Sequence, residues 1–188
     1  MSLTFVAIGD SKTGSVDCCG YQDDLLASLQ ATENWPVVSG LPSFATGGQT
    51  PASASTGINA YLATFSDPAI KPDWVLVNLG SNDFPAMLAG SLNQAGWEAD
   101  MGYIIDALHA KWPAAQIGLA RPIYLGYETQ FDLYADTWIP GALASRSGFT
   151  FLGPDERSYL PGHMDGDTHP DESGYVLTAA AWQTAMGY

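Results

Sequence analysis

Basic residues are scarce in this chain. Six Lys and Arg stand against 20 Asp and Glu, which leaves a net charge of −14 over 188 residues. The imbalance reflects missing cations rather than crowded acids, since charged residues make up only 14% of the chain. Such a surface repels phosphate backbones and anionic membranes, so nucleic acid is not an expected partner. Long apolar runs are missing as well. No stretch reaches the length of a membrane span, and no membrane insertion is expected. No basic stretch followed by an apolar segment and a small-residue cleavage site opens the sequence, so no signal peptide is visible and the compartment stays open. Cysteine is limited to the neighbours Cys18 and Cys19. Their spacing suits neither a metal site nor a redox pair; free thiols are the default, and a vicinal disulfide bracing the loop after Ser11 is the sharper alternative. Calcium-loop spacing and a regular zinc-ligand array are absent too, so no cofactor is expected.

What is present is a globular composition, 46% hydrophobic, of a length that suits one domain over residues 1–188. Apolar runs alternate with helix-like segments. Leu3 to Ile8 reads as a strand, Tyr21 to Gln30 as a helix, and residues 41–48 as a place for a short strand. Ser53 to Phe65 is expected to be helical. "WVLVNLG", residues 74–80, is the clearest buried strand. Over residues 97–112, Trp97, Met101, Ile104, Ile105, Leu108 and Trp112 form one apolar helical stripe that Pro113 ends. "QIGLARPIY" and "FTFLG" supply two more strands. Residues 129–146 read as helix that Pro140 breaks or restarts, and Glu172 to Met186 closes the chain as a helix. Strand and helix in alternation predict a parallel sheet covered on both faces, with ligands bound beyond the carboxyl ends of the strands.

The strand exits carry chemistry. The first ends in Gly9-Asp10-Ser11, the short strand in "TGGQT", the clearest strand in "GSND", and the loop before the last helix is "HMDGDTHPDESGY". These are the residue types needed for acyl transfer through a serine ester. A serine hydroxyl becomes nucleophilic when a base takes its proton, and His169 can be that base. An aspartate can fix the imidazole tautomer. The backbone N–H of Ser11, a glycine N–H and the Asn82 amide can supply donors to the oxyanion. Taken singly, each residue also has a plain structural reading: Ser11 as a turn cap, Asn82 as a turn residue, and Asp10 and Asp83 as local acceptors.

"GDS" after the first strand, a Gly-x-Thr turn, "GSND" after a central strand and "HP" before the final helix, in that order, resemble the SGNH (GDSL) hydrolases. The resemblance spans residues 5 to about 180. It implies a three-layer α/β/α sandwich around a parallel sheet of about five strands, in the flavodoxin-like form of that family. It implies a serine esterase with Ser11 as nucleophile, His169 as base, and Ser11, Gly48 and Asn82 as the oxyanion hole; Gly47 and Gly40 are lesser matches to Gly48. One departure stands out. The family acid lies three residues before the histidine, and here that position is Gly166. Asp167, two before His169, is favoured because "DTHP" reads as a shortened loop; Asp165, four before, is close behind, and a dyad with a backbone carbonyl is a third arrangement.

Among the other candidates, His163 is a weaker rival to His169, because no proline and helix follow it directly. His109 is expected on a solvated helix face. Phe84 can line an acyl pocket, and Tyr124, Tyr127 and Tyr134 a sugar or aryl groove, with packing the favoured role of each taken singly. The chain is short and has no long apolar insertion to form a lipid tunnel. The expected substrate is therefore a short-chain ester, acetyl first, of a carbohydrate or other polar alcohol. A general short-chain esterase, lipase or thioesterase is the runner-up, and a carbohydrate-binding module that kept the fold without the chemistry is the alternative of a different class.

Overall fold

A computed structural model of the chain describes residues 3–13, 20–32, 38–40, 43–67 and 69–188. Cys18 and Cys19 lie outside the described residues. The main elements are β1 (Leu3–Gly9), α1 (Tyr21–Thr32), β2 (Val38–Gly40), β3 (Phe44–Ala45), α2 (Pro51–Ala63), β4 (Trp74–Asn78), α3 (Phe84–Leu88), α4 (Gln94–Lys111), β5 (Gln116–Arg121), α5 (Glu128–Leu133), α6 (Ile139–Leu143), β6 (Thr150–Asp155), β7 (Met164–Asp165), β8 (His169–Pro170) and α7 (Glu172–Ala185).

β1, β4, β5 and β6 lie side by side in parallel register, and β1 carries β2 and β3 in succession along its outer edge. β2 pairs with Leu3 to Phe5 and β3 with Ile8 and Gly9, so the two short pieces act as one edge strand. The sheet thus has five strand positions, the number the resemblance implies, in the parallel arrangement expected from the alternation. Strand order reverses between β1 and β4, and a doubly wound sheet opens its ligand crevice at such a reversal.

Alternation along the strands sorts side chains onto two faces. Val6, Ile8, Val75, Val77, Ile117 and Leu119 share one core with Ile58 and Leu62 of α2 and Trp97, Met101, Ile104, Ile105 and Leu108 of α4. Leu3, Phe5, Leu76 and Ala120 face Leu25 and Leu29 of α1 and Tyr175, Ala179 and Trp182 of α7. Each fully buried side chain of this size stabilises the fold by roughly 1.5–3 kcal/mol before the cost of ordering it.

Local chemistry sets the helix starts. Thr50 caps α2 by accepting from Ser53 N, with Pro51 in the first turn, so the helix begins two residues before the expected start. Asn93 caps α4 by accepting from Gly96 N, and Asp171 caps α7 by accepting from Gly174 N. Pro140 does not break the segment after β5. Residues 134–138 widen by one residue per turn, with Ile139 N donating to Tyr134 O, and α6 follows with Pro140 in its first turn, where no N–H is needed.

Candidate active site

Ser11, Asn82 and His169 converge beyond the carboxyl ends of the strands. Ser11 lies two residues past the end of β1, Asn82 lies in a short 3-10 turn after β4, and His169 opens β8. His169 Nε2 is 2.8 Å from Ser11 Oγ. The pair is open to solvent on the histidine side. A neutral imidazole with its proton on Nδ1 presents the Nε2 lone pair to that hydroxyl.

Asp10 organises the turn beneath the serine. Its carboxylate accepts from Lys12 N at 3.0 Å, Ser81 Oγ at 2.7 Å and Asn82 Nδ2 at 3.1 Å. Burial pushes the Asp10 carboxyl up, and the Lys12 ammonium and the donated bonds pull it back in part. The structural role expected for Asp10 is therefore what the geometry shows. The same Asn82 amide also donates to Gln49 O at 3.1 Å. Asn82 is thus bonded to the residue before Ser11 and to the residue after Gly48, which draws the amide and both backbone donors into one corner. No described acceptor takes the N–H of Ser11 or of Gly48.

The Gly48 turn is fixed in two ways. Thr46 N donates to Gly9 O, and Gln49 N donates to Thr46 O. Gly48 itself has φ +73, a left-handed conformation that a side chain would strain. Gly47 lies beside it without that conformation. Gly40 pairs with Phe5, well back from the strand exit, and so lies away from the site.

Gly80 supports the Asn82 turn by close approach. It has φ +124, and a Cβ there would stand 1.9 Å from the Tyr134 hydroxyl. That hydroxyl is buried and donates to Leu79 O at 2.8 Å. Tyr134 is therefore a post under the turn, not a groove wall. Phe84 is likewise fully buried, packed edge-on to Tyr134 and tilted against Phe131. It starts α3 with its ring turned into the core, so it has no surface to offer an acyl group. Tyr124 and Tyr127 are half-buried past β5, with ring centroids 4.8 Å apart. Asp83 is not the local acceptor expected: no described neighbouring backbone N–H bonds its buried carboxylate, and burial pushes its carboxyl up to about 7, with the indole of Trp97, distant in sequence, pulling it back in part.

The histidine loop is a hairpin. β7 and β8 are antiparallel, and Asp165 stands directly opposite His169. Directly opposed residues project to the same face with Cβ atoms about 4.5–5.5 Å apart. Asp167 lies in the connecting turn, and its carbonyl accepts from Leu125 N at 2.8 Å. No described group bonds His169 Nδ1; free-enzyme contacts of this kind often tighten only with substrate. His163 Nδ1 is 2.8 Å from Ser173 Oγ, which in turn donates to Asp171, so His163 braces the helix cap and does not reach Ser11. His109 is also engaged elsewhere: it is half-buried and stacked on Phe149 at 3.6 Å, which corrects the expectation of a solvated side chain.

A buried ion pair under the site had no sequence signal beyond a lysine following the serine in a chain poor in lysine. Lys12 Nζ meets Glu156 Oε2 at 2.9 Å, both side chains 1% exposed. Lys12 Nζ also donates to Ile123 O. Glu156 accepts from Asn78 Nδ2 at 2.8 Å and Ile123 N at 3.1 Å. One node therefore ties together the exits of β1, β4, β5 and β6. Among the described residues, no group of three His, Cys, Asp or Glu side chains is placed to hold a metal ion, and no helix is long and apolar enough to cross a membrane.

The sequence profile of the GDSL-like Lipase/Acylhydrolase family matches residues 7–177. No curated protein sequence matches the chain. Among solved structures, its fold is similar to that of a catalytic mutant of Axe2, an acetylxylan esterase from Geobacillus stearothermophilus, at a TM-score of 0.78 and 18% identity, covering 99% of this chain and 94% of that one. It is similar to LAE5, an alpha/beta hydrolase enzyme from the metagenome of Lake Arreo, Spain, at 0.77 and 18%, covering 98% and 95%. It is also similar to TesA, at 0.75 and 20%, covering 98% of both chains.

Proposed function

The chain belongs to the GDSL-like lipase/acylhydrolase family and is a carboxylic ester hydrolase; from that premise we propose that it cleaves short-chain esters, acetyl first, of a carbohydrate or other polar alcohol. The 2.8 Å contact between Ser11 Oγ and His169 Nε2 carries the reading. Ser11 Oγ attacks the ester carbonyl carbon while His169 Nε2 takes the hydroxyl proton. The carbonyl oxygen becomes the oxyanion, held by the N–H groups of Ser11 and Gly48 and by Asn82 Nδ2. In the resting state both Asn82 amide protons face protein oxygens, Asp10 Oδ2 and Gln49 O, so one N–H turns to the oxyanion as charge develops. Collapse breaks the bond to the alcohol, which leaves with the proton from His169. Water then attacks the acyl-serine carbonyl as His169 takes its proton; collapse breaks the bond from Ser11 Oγ to the acyl carbon, His169 returns the proton to Ser11 Oγ, and the carboxylic acid departs.

An acid orients His169 in this scheme. Hairpin pairing favours Asp165, whose side chain shares a face with the imidazole, over Asp167 in the turn. That preference is the reverse of the one drawn from loop length. The substrate class rests on the open site and on the likeness in fold to Axe2, an acetylxylan esterase. A series of p-nitrophenyl esters from acetate to octanoate, run beside acetylated xylan fragments, tests it. Acetate turnover at least about tenfold above octanoate, with acetate release from xylan, supports the reading. Faster octanoate turnover would instead make the chain a general esterase or lipase.

A further inference from the structure

Four of the six basic side chains are in ion pairs. Lys12 pairs with Glu156, Arg121 with Asp155, Arg146 with Asp106, and Arg157 with Asp132, Asp136 and Asp155. The other two, Lys71 and Lys111, have no carboxylate partner among the described residues. In a chain with 20 Asp and Glu, unpaired cations are the exception. Both line the same cavity, of about 410 Å³.

This cavity lies at the opposite end of the sheet from Ser11. Its walls come from the link between α2 and β4 and from the link between α4 and β5. Those links feed the amino ends of β4 and β5, roughly 15 Å of strand away from the exits that carry the catalytic groups. Phe65, Ile70, Pro72, Trp112 and Pro113 make the lining largely apolar. Trp112 is fixed edge-on against Phe65, with centroids 5.3 Å apart. Lys111 Nζ donates to Phe65 O at 2.7 Å, which anchors its ammonium at the cavity with further N–H groups to offer. Asp67 is the one acid in the lining; its Oδ1 accepts from Ala69 N, and it pairs with neither lysine. The lining therefore carries a net charge of about +1 on a strongly acidic protein.

We propose that this cavity is a second ligand site, for an amphiphilic carboxylate with an apolar acyl or aryl body. The volume is that of a small-molecule pocket. An apolar wall lined by two lysines, with the Lys111 ammonium held at Phe65 O, matches one carboxylate head and a hydrocarbon body. A sugar would leave its hydroxyls facing Phe65, Ile70, Pro72 and Trp112 without partners. Carboxylic acids are also the class of product that ester hydrolysis releases, yet this site is independent of the ester chemistry and stands or falls without it.

Isothermal titration with sodium octanoate tests the proposal on the full chain, after Ser11 has been blocked with a phosphonate so that the ester site is closed. Expected is saturable binding of one octanoate. Lys71→Gln with Lys111→Gln weakens it by at least about tenfold, and octanol binds at least about tenfold more weakly than octanoate. The same double variant keeps p-nitrophenyl acetate turnover within about twofold, because neither lysine is near Ser11. In the wild-type protein, nuclear Overhauser contacts from octanoate to Ile70 and Trp112 locate the ligand without relying on a variant. Absence of saturation by about 10 mM, equal binding of octanol, binding untouched in the folded double variant, or contacts elsewhere would each overturn the assignment.

Discussion

Ser11 Oγ and His169 Nε2 sit 2.8 Å apart across a sequence separation of 158 residues. β1 delivers the serine and the β7–β8 hairpin delivers the imidazole, so the pair exists only in the folded chain. Removing either partner should abolish turnover without unfolding the protein. We expect Ser11→Ala and His169→Ala each to lower p-nitrophenyl acetate turnover by at least ~10³-fold, with unchanged circular dichroism, because nucleophile and base act as a unit. Near-wild-type activity in a folded Ser11→Ala protein would remove the reading of this strand exit.

Asn82 should matter chiefly when negative charge develops. Asn82→Ala is expected to lower kcat by about 10²-fold or more with little change in KM. A change confined to KM would make Asn82 a binding residue in the ground state instead.

Hairpin register separates the two candidate acids. With Asp165 opposite His169, Asp165→Asn should cost about 10²-fold in kcat, as when the group that holds the imidazole tautomer is lost. Asp167→Asn should cost less than about tenfold. The opposite ranking would move the acid into the turn. If neither substitution mattered, the site would work as a dyad.

The Lys12–Glu156 pair predicts a stability effect. Both groups are out of water, so Glu156→Gln leaves the Lys12 ammonium buried without its counter-charge. We expect a loss of about 3–5 kcal/mol in urea unfolding, and recovery of part of it in the double variant with Lys12→Met. Equal stability of wild type and Glu156→Gln would mean that the pair contributes no more than an exposed one.

Asp83 predicts a pH dependence with a definite sign. Burial, with smaller contributions from the Asp10 and Asp100 charges, raises its carboxyl from 3.8 to about 7 in the folded protein. The folded state therefore holds this proton more tightly than the unfolded chain does between those two values. Stability contributed by Asp83 is fully present below about pH 4 and is lost as pH rises to about 7, by at most about 4 kcal/mol. Asp83→Asn should thus raise Tm relative to wild type at pH 8 and lose that advantage near pH 4. A constant Tm difference across this range would show that Asp83 is ionised throughout.

Long periodic segments were legible in the sequence. The stripe from Trp97 to Trp112 announced α4, and the run from Trp74 announced β4, because apolar spacing reports burial directly. The exits bearing Ser11, Asn82 and His169 were legible because a parallel sheet gathers such exits on one edge. β2 and β8 were not, since strands of three and two residues are too short for any period. Pro140 restarts the helix, as its missing N–H requires: it sits in the first turn of α6, after a widened turn over residues 134–138. His109 was misplaced because a neighbour distant in sequence, Phe149, decides where it points, and Tyr134 in the same way holds Phe84 to the packing role. Lys12 and Glu156 stayed hidden because either one alone reads as a surface charge.

The bond from Leu125 N to the Asp167 carbonyl joins the segment leaving β5 to the hairpin that bears the base. Those two segments cannot drift independently. Tyr124 and Tyr127 flank Leu125, so this bond places the two rings on the segment tied to the histidine hairpin. Changes in length on either side of that bond must be matched on the other. A chimera that exchanges one segment alone inherits a mismatched hinge, whereas exchanging both carries the base and its neighbouring wall across as a single cassette.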